Sequence, residues 1–185
     1  PRGSDWRIFC PSETPEGAAV GLVKNLSLLA QITNINDTTW ANTAVARILR
    51  YTRNGNIPVM VNGTVTTHVG DGPAAANILR VARRNGSLFY DASITWDPLA
   101  GVEVFTDAGR ICSPVFVASS LSRLPELLKK NVHHQLWDAL VDNGCVEWLD
   151  KREEGSSLPP RRPALGILSH GRWFASRGMC CGRKH

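Results

Sequence analysis

The sequence predicts an α+β protein, made of small mixed α/β subdomains of a larger protein and a disordered C-terminal tail. Hydrophobic residues make up 43% of the 185 residues and charged residues 20%, which is ordinary for a chain that builds a core. Segments with strand periodicity and segments with helical periodicity follow one another between residues 26 and 149. Residues 155–185 show neither period, and runs such as Gly-Ser-Ser and Pro-Pro are typical of an unfolded or extraneous tail.

The first regular element follows an irregular stretch. Residues 6–17 contain two prolines and show no period, which favours a loop. Residues 26–32 alternate in character, which predicts a strand with one buried face. A turn cluster at 36–39 can cap a helix that begins near Trp40 and ends before Gly55.

A hairpin and a helix form the clearest local pattern. The pair Asn62-Gly63 separates two β-prone runs, 58–61 and 64–69, and both positions of such a tight turn need positive φ. A proline at the start and a glycine just past the end predict a helix at 73–84.

Further strands and one long helix complete the predicted elements. Strand character appears in four more runs: 88–96, 102–106, 111–118 and 146–149. Pro114 favours an edge or bulge position, because proline lacks the N–H group that a central strand donates. Apolar positions at helical spacing predict one helix over 125–142. The charged residues 150–154 are expected to be solvated.

The basic charge of the chain lies in its last 31 residues. Residues 1–154 carry a net charge of −1 and residues 155–185 carry +6, which gives the +5 of the whole chain. A neutral body disfavours general phosphate binding, because that binding depends on clustered cations. No apolar run approaches the roughly 20 residues of a membrane helix, so no membrane association is expected.

Five cysteines at irregular spacing predict a reducing, intracellular compartment. They form neither paired Cys-x-x-Cys motifs nor a dense framework, so a zinc ribbon and a disulfide scaffold are both disfavoured. Cys10, Cys112 and Cys145 are therefore expected to be small buried core residues.

The most specific motif is Cys-Pro-Ser-Glu-Thr-Pro-Glu-Gly at 10–17, followed by Val-Gly-Leu-Val-Lys-Asn-Leu at 20–26. Further blocks follow in order: a helix that ends in Arg-Arg at 79–84, Phe-Thr-Asp-Ala-Gly-Arg at 105–110, and Val-Glu-Trp-Leu-Asp at 146–150. In these blocks the sequence resembles the second-largest, β-like subunit of multisubunit DNA-directed RNA polymerases. The residues of these blocks are similar to those of the eukaryotic RNA polymerase II subunit and of its archaeal and large-DNA-virus relatives.

The resemblance implies a fragment of such a subunit, divided into regions. It assigns 1–33 to the C-terminal part of a fork-like domain and 34–56 to a connecting segment. It assigns 57–110 to an external-1-like domain and 111–154 to the start of an external-2-like domain. Residues 155–185 depart from the family pattern and form the unrelated or disordered tail.

The resemblance also implies the chemistry of the assembled enzyme, which is nucleotidyl transfer in DNA-templated RNA synthesis. That reaction uses Mg²⁺ held mainly by the largest subunit. This chain is expected to bind no metal, lacks the family's zinc segment, and is not expected to be catalytic alone. The implied partners are the largest and other polymerase subunits, the DNA template and the RNA–DNA hybrid. The implied compartment is the nucleus, or the cytoplasm for an archaeal or viral protein.

The fork motif supplies the residues expected near nucleic acid. They are Glu13, Thr14, Pro15, Glu16, Gly17, Lys24 and Asn25. Thr-Pro-Glu-Gly has two open interpretations: polar contacts that orient the fork, or a rigid turn in which proline fixes φ and glycine adopts a conformation closed to other residues. The lysine interrupts an apolar run, so it needs an acidic partner, a path to solvent or a nucleic-acid phosphate.

Arg80, Arg83 and Arg84 form the one basic cluster of the neutral body, at the end of the predicted helix. They are candidate phosphate contacts. The alternative is a solvated helix terminus, where cations are favoured by the helix dipole.

Two other functions stay open. A stand-alone nucleic-acid-binding module would act through the basic tail. A truncated or misread gene product, with a foreign reading frame from residue 155 onward, would be inactive.

Overall fold

A computed structural model describes residues 5, 7–52, 54–130 and 136–156, and the predicted tail from residue 157 onward lies outside the described residues. The strands are β1 (Gln31–Ile32), β2 (Ile57–Val61), β3 (Thr64–Val69), β4 (Ser93–Asp97), β5 (Gly101–Phe105), β6 (Ile111–Phe116) and β7 (Val146–Asp150). The helices are α1 (Thr38–Ile48), α2 (Gly72–Arg84), α3 (Leu124–Lys130), α4 (Leu136–Asp142) and α5 (Lys151–Ser156). These elements confirm the predicted α+β class.

The first sheet has four strands in the order β3-β2-β5-β4. Strands β2 and β5 run parallel, and the two outer pairs are antiparallel. Asn62 and Gly63 join β2 to β3 with φ values of 49° and 82°, as the predicted tight hairpin requires. The register shifts at Val59 and Met60, where β3 bulges.

Helices α1 and α2 cover this sheet. Helix α1 contacts β2 and β3, α2 contacts β4 and β5, and the two helices contact each other. Asp37 caps α1 and Asp71 caps α2 by accepting backbone N–H bonds, which satisfies donors that a helix start leaves unpaired. Leu49 and Leu79 bring the helices into the core, where both are completely buried.

The second sheet has three antiparallel strands in the order β1-β6-β7. Among the described residues, β1 pairs with Ile111 and Cys112 of β6, and no strand pairs with that side of β6 at Pro114, so β6 is an edge strand there. The predicted edge position of that proline is therefore confirmed. A 3-10 segment, Ala118–Arg123, leads from β6 into α3.

Three predicted elements differ in extent. The strand at 26–32 is wrong for most of its length, because only Gln31–Ile32 and an isolated bridge between Phe9 and Leu26 find a partner. The strand at 88–96 begins only at Ser93, after a turn.

The single helix predicted at 125–142 is also wrong. Helices α3 and α4 are separate and pack against each other around Leu140, Cys145 and Val146, while residues 131–135 lie outside the described residues. Helical periodicity is present in the sequences of both helices, so the pattern alone did not distinguish two helices from one.

All three body cysteines are buried, as predicted. Burial raises the pKa of the Cys112 thiol to about 11, which keeps it protonated. No helix in the described part of the chain is both long and apolar enough to cross a bilayer.

Candidate functional site

The fork-motif residues form a loop whose two ends are tied together. The backbone N–H of Cys10 donates to the Asn25 carbonyl at 2.9 Å, and that of Ser27 donates to the Ile8 carbonyl at 2.9 Å. Inside the loop, the Asn25 side-chain amide donates to the Glu13 carbonyl at 3.2 Å. Hydrogen bonds therefore hold the two ends of the motif together.

The tip of this loop turns on two glycines. Gly17 and Gly21 have φ values of 80° and 79°, which residues with a Cβ rarely adopt. Gly17 begins a short 3-10 turn, and the exposed Glu16 before it makes no capping hydrogen bond. This geometry agrees with the rigid-turn interpretation of Thr-Pro-Glu-Gly. Contact between Glu13 or Glu16 and nucleic acid stays a prediction.

Lys24 has both a partner and a path to solvent. Its Nζ lies 3.4 Å from the Asp5 carboxylate and 4.9 Å from the centre of the Phe9 ring. The side chain is still 35% exposed. The internal ion pair is present, and the ammonium group remains accessible to a second anion.

An exposed apolar surface surrounds the loop. Its members project to solvent from the loop and from the segment that leads to α1: Val20, Leu22, Val23, Leu28, Leu29, Ile32 and Ile35. Leu22 is 81% exposed and Ile35 is 88% exposed. The predicted buried face of 26–32 is therefore wrong within the described chain. We refer to these exposed side chains as the apolar surround.

The three arginines of α2 enter a buried ion network instead of lying in solvent. The Arg83 side chain is 1% exposed, and its Nη1 lies 2.6 Å from Glu153 while its Nη2 lies 3.0 Å from Glu147. Arg80 Nε lies 3.2 Å from Glu153, and Arg84 Nε lies 2.9 Å from Glu147. The network fastens α2 of the first sheet to β7 and α5 of the second.

Residues 150–154 were predicted to be solvated, and that prediction is wrong for Asp150 and Glu153, which are buried. Glu153 is completely buried and also accepts from the Ile94 backbone N–H at 3.1 Å. Asp150 caps α5 by accepting from the Glu153 N–H at 2.9 Å, and it accepts from Arg110 Nη1 at 3.1 Å. Burial is tolerated because each carboxylate meets arginine and N–H donors.

Charge pairing shifts the pKa values of the network. Burial alone would lower the pKa of Arg83, but the charges and hydrogen bonds of Glu153 and Glu147 outweigh it and raise that pKa. Burial alone would raise the pKa of Glu147, but Arg84 and Arg83 outweigh it and hold that pKa below its ordinary value. Both partners are therefore charged at neutral pH.

These contacts decide between the interpretations of the arginine cluster. The solvated helix terminus is wrong for Arg83, whose guanidinium is committed to buried carboxylates. Phosphate contact by Arg80, Arg83 and Arg84 stays a prediction, and the ion pairs argue against it because a phosphate would have to displace Glu147 or Glu153.

The sequence patterns did not identify Arg110 as a residue that joins several elements. Its guanidinium donates to Asp150 and, at 2.9 Å, to the Asp91 carbonyl, while its backbone pairs with Thr33. Thr33 also accepts from the Gly109 N–H at 3.0 Å. Three motif blocks, at 79–84, 105–110 and 146–150, thus meet at one junction, and their joint appearance in the resemblance was the available signal.

The described residues contain no group of three or more His, Cys, Asp or Glu side chains placed to hold a metal ion. His133 and His134 lie outside the described residues. The described residues form two sheets covered by helices and a loop at 10–25 whose ends are tied by hydrogen bonds.

Two family profiles match the chain in succession. The family described as RNA polymerase Rpb2, domain 3, matches residues 1–32, and the family described as RNA polymerase Rpb2, domain 4, matches residues 59–119. The first match contains the tied loop, and the second runs from β2 to the 3-10 segment after β6. The domain boundaries predicted above stay predictions.

Curated relatives carry the same description. The chain is 31% identical over 184 residues to the DNA-directed RNA polymerase subunit Rpo2 of Sulfolobus acidocaldarius, over 87% of this chain and 16% of that protein. It is 31% identical over 194 residues to the RNA polymerase II subunit RPB2 of Schizosaccharomyces pombe, over 85% of this chain and 16% of that protein. The match to RNA polymerase III subunit 2 of Arabidopsis thaliana is 29% identical over 84% of this chain. The chain thus spans 16% of the length of the first two relatives.

Proposed function

Because the chain belongs to the family of the second-largest subunit of multisubunit RNA polymerases, we propose that it contributes to DNA-templated RNA synthesis as a fragment of that subunit. The observation that best supports this proposal is the loop at 10–25, whose ends are tied together by hydrogen bonds. This loop contains the motif of the first family match, and the apolar surround lies on and beside it. Exposed apolar side chains on and beside such a loop are typical of an interaction surface.

The loop shapes the neighbourhood of the active centre in this proposal. Lys24 is the group suited to a nucleic-acid phosphate, because its ammonium group is part-exposed. Glu13 and Glu16 would be repelled by phosphate, so they act on bases, on arginines of a partner or on the loop shape. Thr14, Pro15, Gly17 and Asn25 hold that shape.

The partners follow from the same premise. We assign the apolar surround to contacts with other parts of the polymerase, including the largest subunit, and the loop tip to the DNA template and RNA–DNA hybrid. Mg²⁺ for nucleotidyl transfer would come from the largest subunit. The nucleus is the proposed compartment, with the cytoplasm for an archaeal or viral source.

Co-purification tests the assignment to the polymerase. The full tagged chain is expressed with the largest subunit of a eukaryotic RNA polymerase II, and retention of that subunit is measured. Leu22→Ser, in the apolar surround, is expected to reduce retention. The matched control is Leu99→Ser, because Leu99 is 98% exposed in the turn between β4 and β5. Absence of retention, or equal retention by both variants, contradicts the proposal.

The basic tail favours one second candidate, a stand-alone nucleic-acid-binding module. Its six cations without any acid would bind phosphates with a steep salt dependence. Duplex DNA binding by the full chain, measured against salt and compared with a chain ending at residue 156, separates the two. The module is supported if the full chain binds DNA tightly, the chain ending at residue 156 does not, and neither associates with the polymerase.

A further inference from the structure

An open groove of about 320 Å³ lies between α4, β7 and the turn before β4. Three aromatic rings line it. The Tyr90 and Trp137 rings each lie 6.4 Å from the Trp148 ring, in edge-to-face arrangements. Tyr90 is 54% exposed and Trp137 is 39% exposed, so ring surface is available to a ligand.

Two carboxylates complete the groove. Asp138 and Asp142 lie one turn apart on α4, and both are exposed. Within the described residues neither has an ion-pair partner, whereas Glu147 and Asp150 nearby are paired with arginines. Like charges one turn apart repel, and an acid at the C-terminal end of a helix opposes the helix dipole. A cation in the groove would relieve both effects.

We propose that this groove binds a lysine or arginine side chain presented by a basic segment of a partner protein. Aromatic faces attract such cations through their quadrupole, and carboxylates at the rim supply the ion pair. The same carboxylates repel phosphate, so charge complementarity excludes nucleic acid as the occupant. Arg83 and Arg84 beside the groove are committed to Glu147 and Glu153 and do not neutralise it.

The size of the groove agrees with this occupant. Ligand pockets of drug-sized molecules occupy roughly 300–1,000 Å³, so this groove lies at the small end of that range. One long side chain with its neighbouring backbone fits such a space, whereas the apolar face of a folded domain needs a larger surface.

A labelled, capped peptide in which arginine alternates with glycine provides the probe. Its binding to the full chain is measured by fluorescence anisotropy. The double variant Asp138→Asn/Asp142→Asn is expected to weaken binding by about tenfold, from two lost exposed ion pairs. The matched control is Asp97→Asn/Glu126→Gln, which removes two exposed carboxylates outside the groove and is expected to change binding by less than about twofold.

A second variant distinguishes binding in the groove from general attraction between opposite charges. Trp137→Leu keeps an apolar residue and the net charge but removes the aromatic face. This substitution is expected to weaken binding of the arginine peptide several-fold. Circular dichroism of each variant confirms that the fold is retained. Equal loss in the groove and control double variants, no effect of Trp137→Leu, or no binding of the arginine peptide by the full chain overturns the proposal. Binding of duplex DNA at the groove, lost in the same variants, also overturns it.

Discussion

The two ends of the described chain are stabilised in opposite ways. From α1 to α5, the sheets and helices enclose a core and a buried ion network that joins them. The loop at 10–25 and the segment after it rest on a few backbone hydrogen bonds and expose their leucines and valines. The residues that most specifically identify the family lie in the second region.

The largest difference between the two regions is expected in the hydrogen exchange of the full isolated chain. Amides of β2 and β5, at 59–61 and 102–104, are expected to exchange only through global unfolding, which costs about 5–15 kcal/mol in typical domains. Amides at 18–26 are expected to exchange with protection near zero, because few buried contacts hold them. Strong protection at 18–26, comparable to that of β2, would show that the loop is stable without partners.

The ion network gives the next effect. Arg83→Met leaves Glu153 buried without its main cation, and it is expected to lower the free energy of unfolding by about 3–5 kcal/mol. Urea denaturation followed by circular dichroism measures the loss.

Arg47→Met is the matched control, because Arg47 occupies the last turn of α1 and is exposed. Its cost is expected to stay within about 0.5 kcal/mol. Equal costs for the two substitutions would mean that the buried pair contributes nothing specific.

Sequence patterns predicted the local elements better than the contacts between them. The hairpin at Asn62-Gly63 and helix α2 were confirmed, because each depends on residues adjacent in the chain. The pairing of Arg83 with Glu153 spans 70 residues. Charged residues at a helix end and after a strand look solvated when neither partner is known. The strand at 26–32 failed for the converse reason, since alternation indicates a period but does not supply a neighbouring strand.

A pair of leucine truncations compares the two regions directly. Leu49→Ala, in the core under α1, is expected to cost about 2–5 kcal/mol of unfolding free energy. Leu22→Ala, at 81% exposure, is expected to cost less than about 0.5 kcal/mol. Denaturant midpoints measured under identical conditions provide the comparison. A large cost at Leu22 would reveal that the apolar surround packs against the chain itself.

The smallest effect expected is the pH dependence of the unfolding free energy that Glu147 causes. Its pKa lies below the ordinary 4.5 in the folded chain, so the unfolded chain takes up the proton first as the pH falls. The stability it contributes is therefore present above pH 4.5 and is lost as the pH falls through the folded-state pKa.

Glu147→Gln is accordingly expected to cost about 1 kcal/mol at neutral pH, and its stability should converge with that of the unchanged chain in acid. Urea midpoints measured across the acid range test this. Glu16→Gln, on the exposed loop, serves as the control, and its cost at neutral pH is expected to stay within about 0.5 kcal/mol. Parallel curves for Glu147→Gln and the unchanged chain would mean that Arg84 and Arg83 do not favour the charged carboxylate. The buried network would then stabilise the body through packing and neutral hydrogen bonds, and the contrast with the exposed loop would rest on core burial alone.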